Sequence, residues 1–393
     1  MQNNKNSSKL KMQASRIMKS KGMGSFTATL LAILLGLLFG FIVMLIASPA
    51  NSFNGFLTML TGGFGRLGDV FYFATPILMT GLSVGFAFKM GLFNIGASGQ
   101  YTFGMFFALY VGMMWKLPTG IHWIACILAG MIGGMLWGFI PGLLKATMNV
   151  NEVITSIMFN YIGMYLVDMF VTNNASMYVP NLTRTGYLPT TAQLPSLGVP
   201  NSNVNVSVIL AIVIAIILYI VLNKTTFGYE LKATGFNKHA SKYAGMNDTR
   251  NTILTMIIAG GLAGLGGAFA ILAPTGITGS SMTYEPINVI AANGFNGIAV
   301  ALLGSSNPVG IIFSALFVSH IQRGGTQVSS FFGYKPEIID VVIAVIIYFS
   351  AFAMIMSSAV GRLLKKRSRK EAVKELEQTL SSEDDSLKEK TEV

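Results

Sequence analysis

Ten long apolar runs alternate with short polar connections along this sequence. Several of them reach the ~20 residues that an α-helix needs to cross the hydrocarbon core of a bilayer, and the shorter ones are flanked by Gly or Pro. The pattern predicts an all-α polytopic membrane protein with about ten transmembrane helices in residues 26–360. The runs lie near 26–47, 70–88, 94–115, 120–144, 152–171, 205–222, 252–273, 286–304, 308–321 and 337–358.

The composition agrees with a chain that is mostly out of water. Of its residues 52% are hydrophobic and 11% charged, whereas a soluble domain has roughly 25% charged residues. The net charge of +11 does not indicate nucleic-acid binding, because the basic residues lie at the two ends and in short connections, without interleaved aromatic residues. Cys126 is the single cysteine and the three histidines are scattered, so we expect neither a disulfide framework nor a metal site.

The distribution of Lys and Arg predicts the orientation. With a cytoplasmic N terminus, alternating connections place 22 of the 27 basic side chains inside and five outside, an asymmetry that fixes topology. We therefore expect both termini in the cytoplasm, with a basic segment at 1–25 and a charged tail at 361–393. The first apolar run exceeds the ~7–15 residues of a signal-peptide core, so we interpret it as an uncleaved span. The basic start of the tail is expected to contact membrane lipids.

Two polar connections are long: 172–204, expected outside the membrane, and 223–251, expected in the cytoplasm. In the second, Asn237 is a suitable N-cap and Gly245 a suitable C-terminal cap for a short helix over about 238–244. An isolated helix shorter than ~12–15 residues is marginal in water, so we expect it to dock onto a partner, although an ordinary connecting loop is the alternative. The candidate coupling residues are Asn237, Lys238, His239, Ser241, Lys242, Tyr243 and Gly245.

Polar residues also interrupt two apolar runs, at 91–100 and 293–304. Gly and Asn at membrane depth can break a helix, and the freed polar groups must then line a cavity or bond another helix. We expect broken helices at both places and a solute path lined by them. Hydrogen bonding between helices by the same amides is the alternative. The candidate path residues are Phe93, Asn94, Gln100, Asn293, Phe295 and Asn296.

The chain carries no evident means of supplying energy. It has no Gly-Lys dipeptide and hence no Walker A loop, and no catalytic Ser/His/Asp grouping is apparent. Its acidic residues fall at predicted helix ends or in loops, so no span has the central charge that would mark an ion relay. We expect a non-enzymatic protein that obtains its energy from a partner.

Four segments together resemble the permeases of ATP-binding-cassette (ABC) importers for sugars, nucleosides and branched-chain amino acids, and nucleoside-type permeases most closely. They occur in family order and, with their spacing, cover most of 70–355. Many relatives have Glu where this chain has Ser98, so no acidic role is transferred to that position. The segments are GLFNIGASGQ (91–100), VNEVITSIMFNYI (150–162), FGYELKATGFNKHASKYAGMN (227–247) and GFNGIAVALLG (294–304).

The resemblance implies a multi-pass protein of a bacterial plasma membrane, in which two permease subunits form the path, as a heterodimer in the nucleoside branch. It implies that a cytoplasmic ABC ATPase docks on the helix at 238–244 and uses the ATP, so that this chain needs no cofactor. A substrate-binding lipoprotein would dock outside, with 172–204 a candidate contact. A neutral solute, most simply a nucleoside, is the expected cargo. A simple-sugar permease, an ATP-independent secondary transporter and a non-transporting membrane scaffold are the alternatives.

Overall fold

The computed structural model describes residues 21–200, 202–275 and 280–351. These residues belong to two compact units. The larger unit comprises 41–343, and the smaller contains the described parts of 1–40 and 344–393, where Phe39 stacks on Phe349 with ring centroids 4.8 Å apart. Most of the predicted basic segment at 1–25 and the whole of the tail at 361–393 lie outside the described residues.

The described residues are mainly helical, and each of the ten predicted apolar runs contains a helix. Three further helices, α2, α8 and α9, lie in the connections. A two-stranded antiparallel hairpin pairs Tyr178 with Thr185. The elements are α1 (Lys21–Ala47), α2 (Ser52–Thr61), α3 (Leu67–Lys89), α4 (Ala97–Met114), α5 (His122–Met148), α6 (Glu152–Thr172), β1 (Tyr178–Val179), β2 (Arg184–Thr185), α7 (Ser207–Lys224), α8 (Thr226–Phe236), α9 (Lys238–Tyr243), α10 (Asp248–Ile271), α11 (Ala292–Leu303), α12 (Pro308–Phe332) and α13 (Pro336–Ala351).

Five helical segments among the described residues are long and apolar enough to cross a membrane. Two shorter apolar helical stretches, Ile33–Ala47 and Ala292–Leu303, accompany them. The fold is therefore an apolar helical one with several candidate spans, and the total of ten spans stays a prediction. The five segments are Pro49–Lys89, His122–Met148, Glu152–Thr172, Ser207–Lys224 and Asp248–Ile271.

The core of the larger unit forms where α10 packs against α5, α4 and α3. On α5, Gly134 and Gly138 face Gly260 and Gly264 of α10 so closely that a β-carbon at Gly138 would lie 3.0 Å from the Gly260 Cα. Small residues spaced four apart allow two helix backbones to touch, which is how helices associate when lipid removes the hydrophobic drive. The α5–α10 pair therefore provides the surface against which α4 and α3 pack, and these two helices carry polar residues that are described below.

The two predicted helix breaks have different outcomes. Between α3 and α4, residues 91–96 leave the helical conformation, as expected. The segment 293–304, in contrast, is not broken, because residues 293–303 lie in the continuous helix α11. Irregular backbone precedes the helix in the described residues 273–275 and 280–291. The physical reason is packing: Gly294 and Gly297 bring α11 against Ser98 and Thr80 of the neighbouring helices instead of interrupting it.

Helix α12 runs eleven residues beyond the predicted end at 321. Arg323, one of the five basic residues that the alternation of connections assigns to the outside, therefore lies inside a helix. Its guanidinium carbon is 3.5 Å from the centroid of the Phe73 ring. Two polar residues that lower the apolar character of this stretch bond the end of α2 and the residue after it. His320 Nε2 is 2.7 Å from the Leu60 carbonyl oxygen, and Gln327 Nε2 donates to the Gly62 carbonyl at 3.0 Å. These polar side chains therefore serve packing, and the helix continues past them.

Candidate functional site

The predicted path residues Asn94 and Gln100 form a buried amide pair. Asn94 Nδ2 donates to Gln100 Oε1 at 2.8 Å, and Gln100 Nε2 donates back to Asn94 Oδ1 at 3.0 Å. Asn94 Nδ2 also donates to Ser83 Oγ at 3.0 Å, and the Asn94 side chain is 0% exposed. In this conformation the pair connects the 91–96 interruption to α3 and α4. The two amides therefore form hydrogen bonds between helices, which is the alternative to lining a solute path.

The first turn of α4 lies between α6 and α11. On one side, the Gly99 amide donates to Asn160 Oδ1 of α6 at 2.8 Å, and Asn160 Nδ2 donates to the Ile95 carbonyl at 3.0 Å. On the other side, Ser98 Oγ donates to the Ala291 carbonyl at 3.0 Å, directly before α11 begins. The middle of α6 and the start of α11 therefore flank the same turn of α4 at the same level.

The first turns of α11 carry the other predicted path residues. Asn293 Nδ2 donates to the Tyr101 hydroxyl at 2.8 Å, and its carbonyl accepts from Thr80 Oγ1 at 2.8 Å. Phe295 is exposed and Asn296 half-buried. The structure thus separates the six predicted residues into a sealed group around Asn94 and an accessible group on α11, with Phe93 half-buried against Phe88 at a centroid distance of 5.1 Å.

A buried carboxylate missed by the sequence analysis anchors the irregular segment before α11. Asp168, near the end of α6, accepts from the Tyr284 hydroxyl at 2.6 Å and from the Asn288 amide at 2.8 Å. Burial, and then the hydrogen bond to Asp168, raise the pKa of Tyr284, so its hydroxyl stays protonated and donates. A carboxylate three residues before the end of an apolar run was the only signal in the sequence.

Part of the expected outer connection 172–204 packs on the same segment. The Thr185 amide donates to the Tyr284 carbonyl at 2.9 Å, and the Leu188 amide donates to Ser281 Oγ at 2.8 Å. Leu188 and Leu194 are buried. The connection therefore bonds Ser281 and Tyr284, while Asp168 bonds Tyr284 from α6.

At the opposite end of the helices, the predicted short helix is present as α9. Asn237 Oδ1 accepts from the Ala240 amide at 3.0 Å, and Gly245 has a φ of +82°, the left-handed conformation of a helix C-terminal cap. Ser241, a predicted coupling residue, is only 4% exposed, and its hydroxyl donates to the Lys238 carbonyl. Ser241 therefore lies on the inner face of α9, whereas its role in coupling stays a prediction.

The ends of α8 and α9 expose two large aromatic side chains. Tyr243 is 94% exposed, and Phe236, which the sequence analysis did not select, is 96% exposed. His239 and Lys242 are exposed beside them. Lys238 is also exposed, but its Nζ pairs with the Asp248 carboxylate at 3.0 Å and so ties α9 to the start of α10. An aromatic and basic surface of this kind suits a protein partner better than water.

Helix α8 connects this surface to the interruption after α3. A β-carbon at Gly235 would lie 2.5 Å from the Met90 carbonyl carbon, so the two backbones are in direct contact. Thr255 of α10 donates to the Met90 sulfur at 3.1 Å. Met90 lies four residues before Asn94, and a displacement of α8 would therefore reach the segment that carries the buried amide pair.

The comparisons with known proteins are consistent with these features. The family model for the permease component of the branched-chain amino acid transport system matches residues 66–351. The guanosine ABC transporter permease protein NupP of Bacillus subtilis is 35% identical over 88% of this chain and 99% of its own length. The nucleoside ABC transporter permease protein NupB of Lactococcus lactis is 35% identical over 83% of this chain and 91% of its own length. The glucose ABC transporter permease protein TsgB13 of Haloferax volcanii is 29% identical over 78% of this chain and 82% of its own length.

Proposed function

The chain belongs to the family of permease components of the branched-chain amino acid transport system, and from this we propose that it is the permease subunit of an ABC importer for nucleosides. The observation that carries the proposal is the 35% identity to a guanosine permease along 99% of that protein. The permease itself is not an enzyme, because ATP hydrolysis belongs to a separate ATPase subunit.

The chemistry of α11 supports a neutral cargo with a planar ring. Its accessible first turns offer an aromatic face, Phe295, and an amide, Asn296, without a charged side chain beside them on the helix. An aromatic ring stacks on a nucleobase, and an amide both donates to and accepts from the polar edge of a base or the hydroxyls of a ribose. We assign the first contacts with cargo to these two residues and a supporting role to the buried pair of Asn94 and Gln100.

The protein crosses the plasma membrane several times with both termini in the cytoplasm, ten spans being our proposal. Contacts between helix ends support one cytoplasmic face. Lys145 in the last turn of α5 pairs with Glu152 at the start of α6 at 2.9 Å, and Gly235 of α8 contacts Met90 after α3. These positions are the ones that the distribution of Lys and Arg assigns to the inside.

The energy enters through α8 and α9. A cytoplasmic ATPase docks on the exposed Phe236, Tyr243 and Lys242, and its movement displaces α8. The contact between Gly235 and Met90 supports transmission of this movement to the 91–96 segment, since two backbones in direct contact cannot move independently. This route requires no charge within a membrane span and no nucleotide-binding loop in this chain.

Two further partners complete the importer. A second, different permease subunit faces this one across the solute path and covers Phe295, which a single chain leaves exposed. A substrate-binding lipoprotein docks on the outer connection, where Leu182 and Tyr187 are exposed. The bonds of Thr185 to Tyr284 and of Leu188 to Ser281 support this role, since they connect the docking surface to the segment that Asp168 anchors.

The direct test is uptake by cells that express the chain with its partner subunits. We expect uptake of labelled guanosine that unlabelled nucleosides compete away and that a large excess of glucose or ribose leaves unchanged. A simple-sugar importer, the runner-up that a glucose permease relative keeps open, would give the reverse order of competition. Failure of every nucleoside to enter or to compete contradicts the proposed cargo.

A further inference from the structure

Two tyrosines stand at the middle of α6 on an exposed face. Tyr161 is the tenth of the 21 residues of the helix and Tyr165 the fourteenth, and their side chains are 49% and 57% exposed. Among the described residues, neither hydroxyl has a hydrogen-bond partner. Tyrosine is favoured at the two ends of a membrane span, where its hydroxyl reaches water, and hydrocarbon at the middle would leave that hydroxyl unsatisfied.

The lipid-facing alternative has a different composition in the same molecule. The exposed side of α7 consists of aliphatic residues, and its one tyrosine, Tyr219, lies in the last third of the helix, five residues before Lys224. This is the arrangement expected for contact with acyl chains. The exposed face of α6 also carries aliphatic residues such as Ile157, Met158 and Ile162, so it is the two mid-helix phenol hydroxyls that a lipid contact leaves without a partner and a polar neighbour explains better.

The direction of this face follows from Asp168. Residues seven apart on a helix lie on the same side, two turns apart, so Tyr161 and Asp168 share a face, with Tyr165 between them. Asp168 bonds the Tyr284 hydroxyl and the Asn288 amide. The two tyrosines thus face the side occupied by the segment that leads into α11.

Helix α11 presents its own exposed ring to the same space. Gly294 contacts Ser98 of α4, while the preceding residue, Asn293, bonds Tyr101. Because successive residues diverge by about 100° around a helix, Phe295 projects on the opposite side of that contact from Asn293. The Tyr101 backbone touches Gly267 of α10, and Asn160 of α6 bonds the other side of the α4 turn, so Phe295 lies on the α6 side of that turn.

We propose that Tyr161 and Tyr165 are specificity-determining residues that bind the base of the cargo in a groove, with Phe295 and Asn296 as the opposite wall and the first turn of α4 as the floor. Rings on two walls suit a planar heteroaromatic ring, which stacks on both. The phenol hydroxyls then bond the polar edge of the base, which gives each of them a partner. A simple sugar has no planar ring and would use this groove poorly.

This inference rests on the proposed function, and the test separates the two. Initial rates of ATP-dependent uptake are measured for labelled guanosine and labelled uridine, with the assembled transporter in vesicles. Tyr161→Leu should raise KM about tenfold for both, which corresponds to ~1.4 kcal/mol of lost stacking, with kcat changed less than twofold. Tyr161→Phe keeps the ring and should raise KM more for guanosine than for uridine, because only hydroxyl bonding to the base edge is lost.

The matched control is Tyr219→Leu, which removes the same side chain from the aliphatic face of α7 and should leave both KM values unchanged. Tyr165→Leu provides a second variant at the proposed site if Tyr161→Leu assembles poorly. Normal KM values in assembled Tyr161→Leu and Tyr165→Leu transporters would overturn the groove assignment while nucleoside uptake by the unaltered protein leaves the proposed function intact. Absence of nucleoside uptake by the unaltered protein would overturn both.

Discussion

Replacing Gly245 with Val should uncouple the transporter from its ATPase without unfolding it. Gly245 closes α9 with a φ of +82°, and a β-carbon built there meets nothing within 4 Å. The cost is therefore conformational only: roughly 1–2 kcal/mol to hold a residue with a β-carbon in the left-handed region. A helix of six residues has few interactions of its own with which to offset this cost.

A penalty of this size is small for the whole protein and large for α9. One to two kcal/mol changes the ratio of folded to unfolded α9 by a factor of ~5–30. If α9 is only marginally stable with Gly245, it should be formed in only a minor fraction of the Gly245→Val molecules. We expect ATP-dependent uptake and solute-stimulated ATP hydrolysis to fall together by about fivefold or more. The thermal unfolding midpoint of the detergent-purified permease should move little, because the core formed by α5 and α10 is untouched.

The control is Gly120→Val. Gly120 has a φ of +95° and open space around its β-carbon position, so the intrinsic strain is the same, but it lies in the connection between α4 and α5. Both variants are assayed in proteoliposomes with the partner subunits. Normal coupling in Gly245→Val, or an equal loss in Gly120→Val, would refute a specific role for the α9 cap.

Three further expectations follow from the structure. Asn94→Leu should lower the thermal unfolding midpoint of the permease, because it leaves the buried Gln100 amide without its partner at a cost of ~1–3 kcal/mol. The double variant Asn94→Leu with Gln100→Leu should recover part of this loss, and thermal unfolding monitored by fluorescence measures both changes. Cysteines at Leu182 and at Tyr243, both exposed, should react with an impermeant maleimide from opposite sides of the membrane, and labelling of both from outside would contradict the topology. Asp168→Asn should reduce uptake severalfold because an amide cannot accept from both the Tyr284 hydroxyl and the Asn288 amide without loss, whereas unchanged uptake would show that this anchor is dispensable.

The sequence predicted well what depends on local pattern. The ten apolar runs contain helices because hydrophobic length is a local property, and α9 was found from its caps, Asn237 and Gly245, which act within a few residues. The interruption at 91–96 was likewise visible as polar residues within an apolar run. These features need no knowledge of the rest of the fold.

What depends on tertiary packing was missed or left between two alternatives. The pairing of Asn94 with Gln100, and the burial of Ser241, are set by neighbours that the sequence does not identify. Gly294 and Gly297 were expected to break a helix, but they instead allow Ser98 and Thr80 to pack directly against the α11 backbone. Glycine has both uses, and only the position of the neighbouring helix distinguishes them. Phe236 could have been selected, because a large aromatic residue directly before an N-cap in a polar loop has no apolar run to join.

The central claim is that this chain moves a neutral nucleoside with energy from a separate ATPase. Its most direct test is uptake of labelled guanosine into right-side-out vesicles of cells that express the whole importer, with the ATP supply and the membrane potential controlled independently. We predict that uptake stops when ATP is depleted while the potential is kept, and that it continues when an ionophore dissipates the potential while ATP is kept. Uptake that survives ATP depletion and disappears with the potential would contradict the account and indicate a secondary transporter.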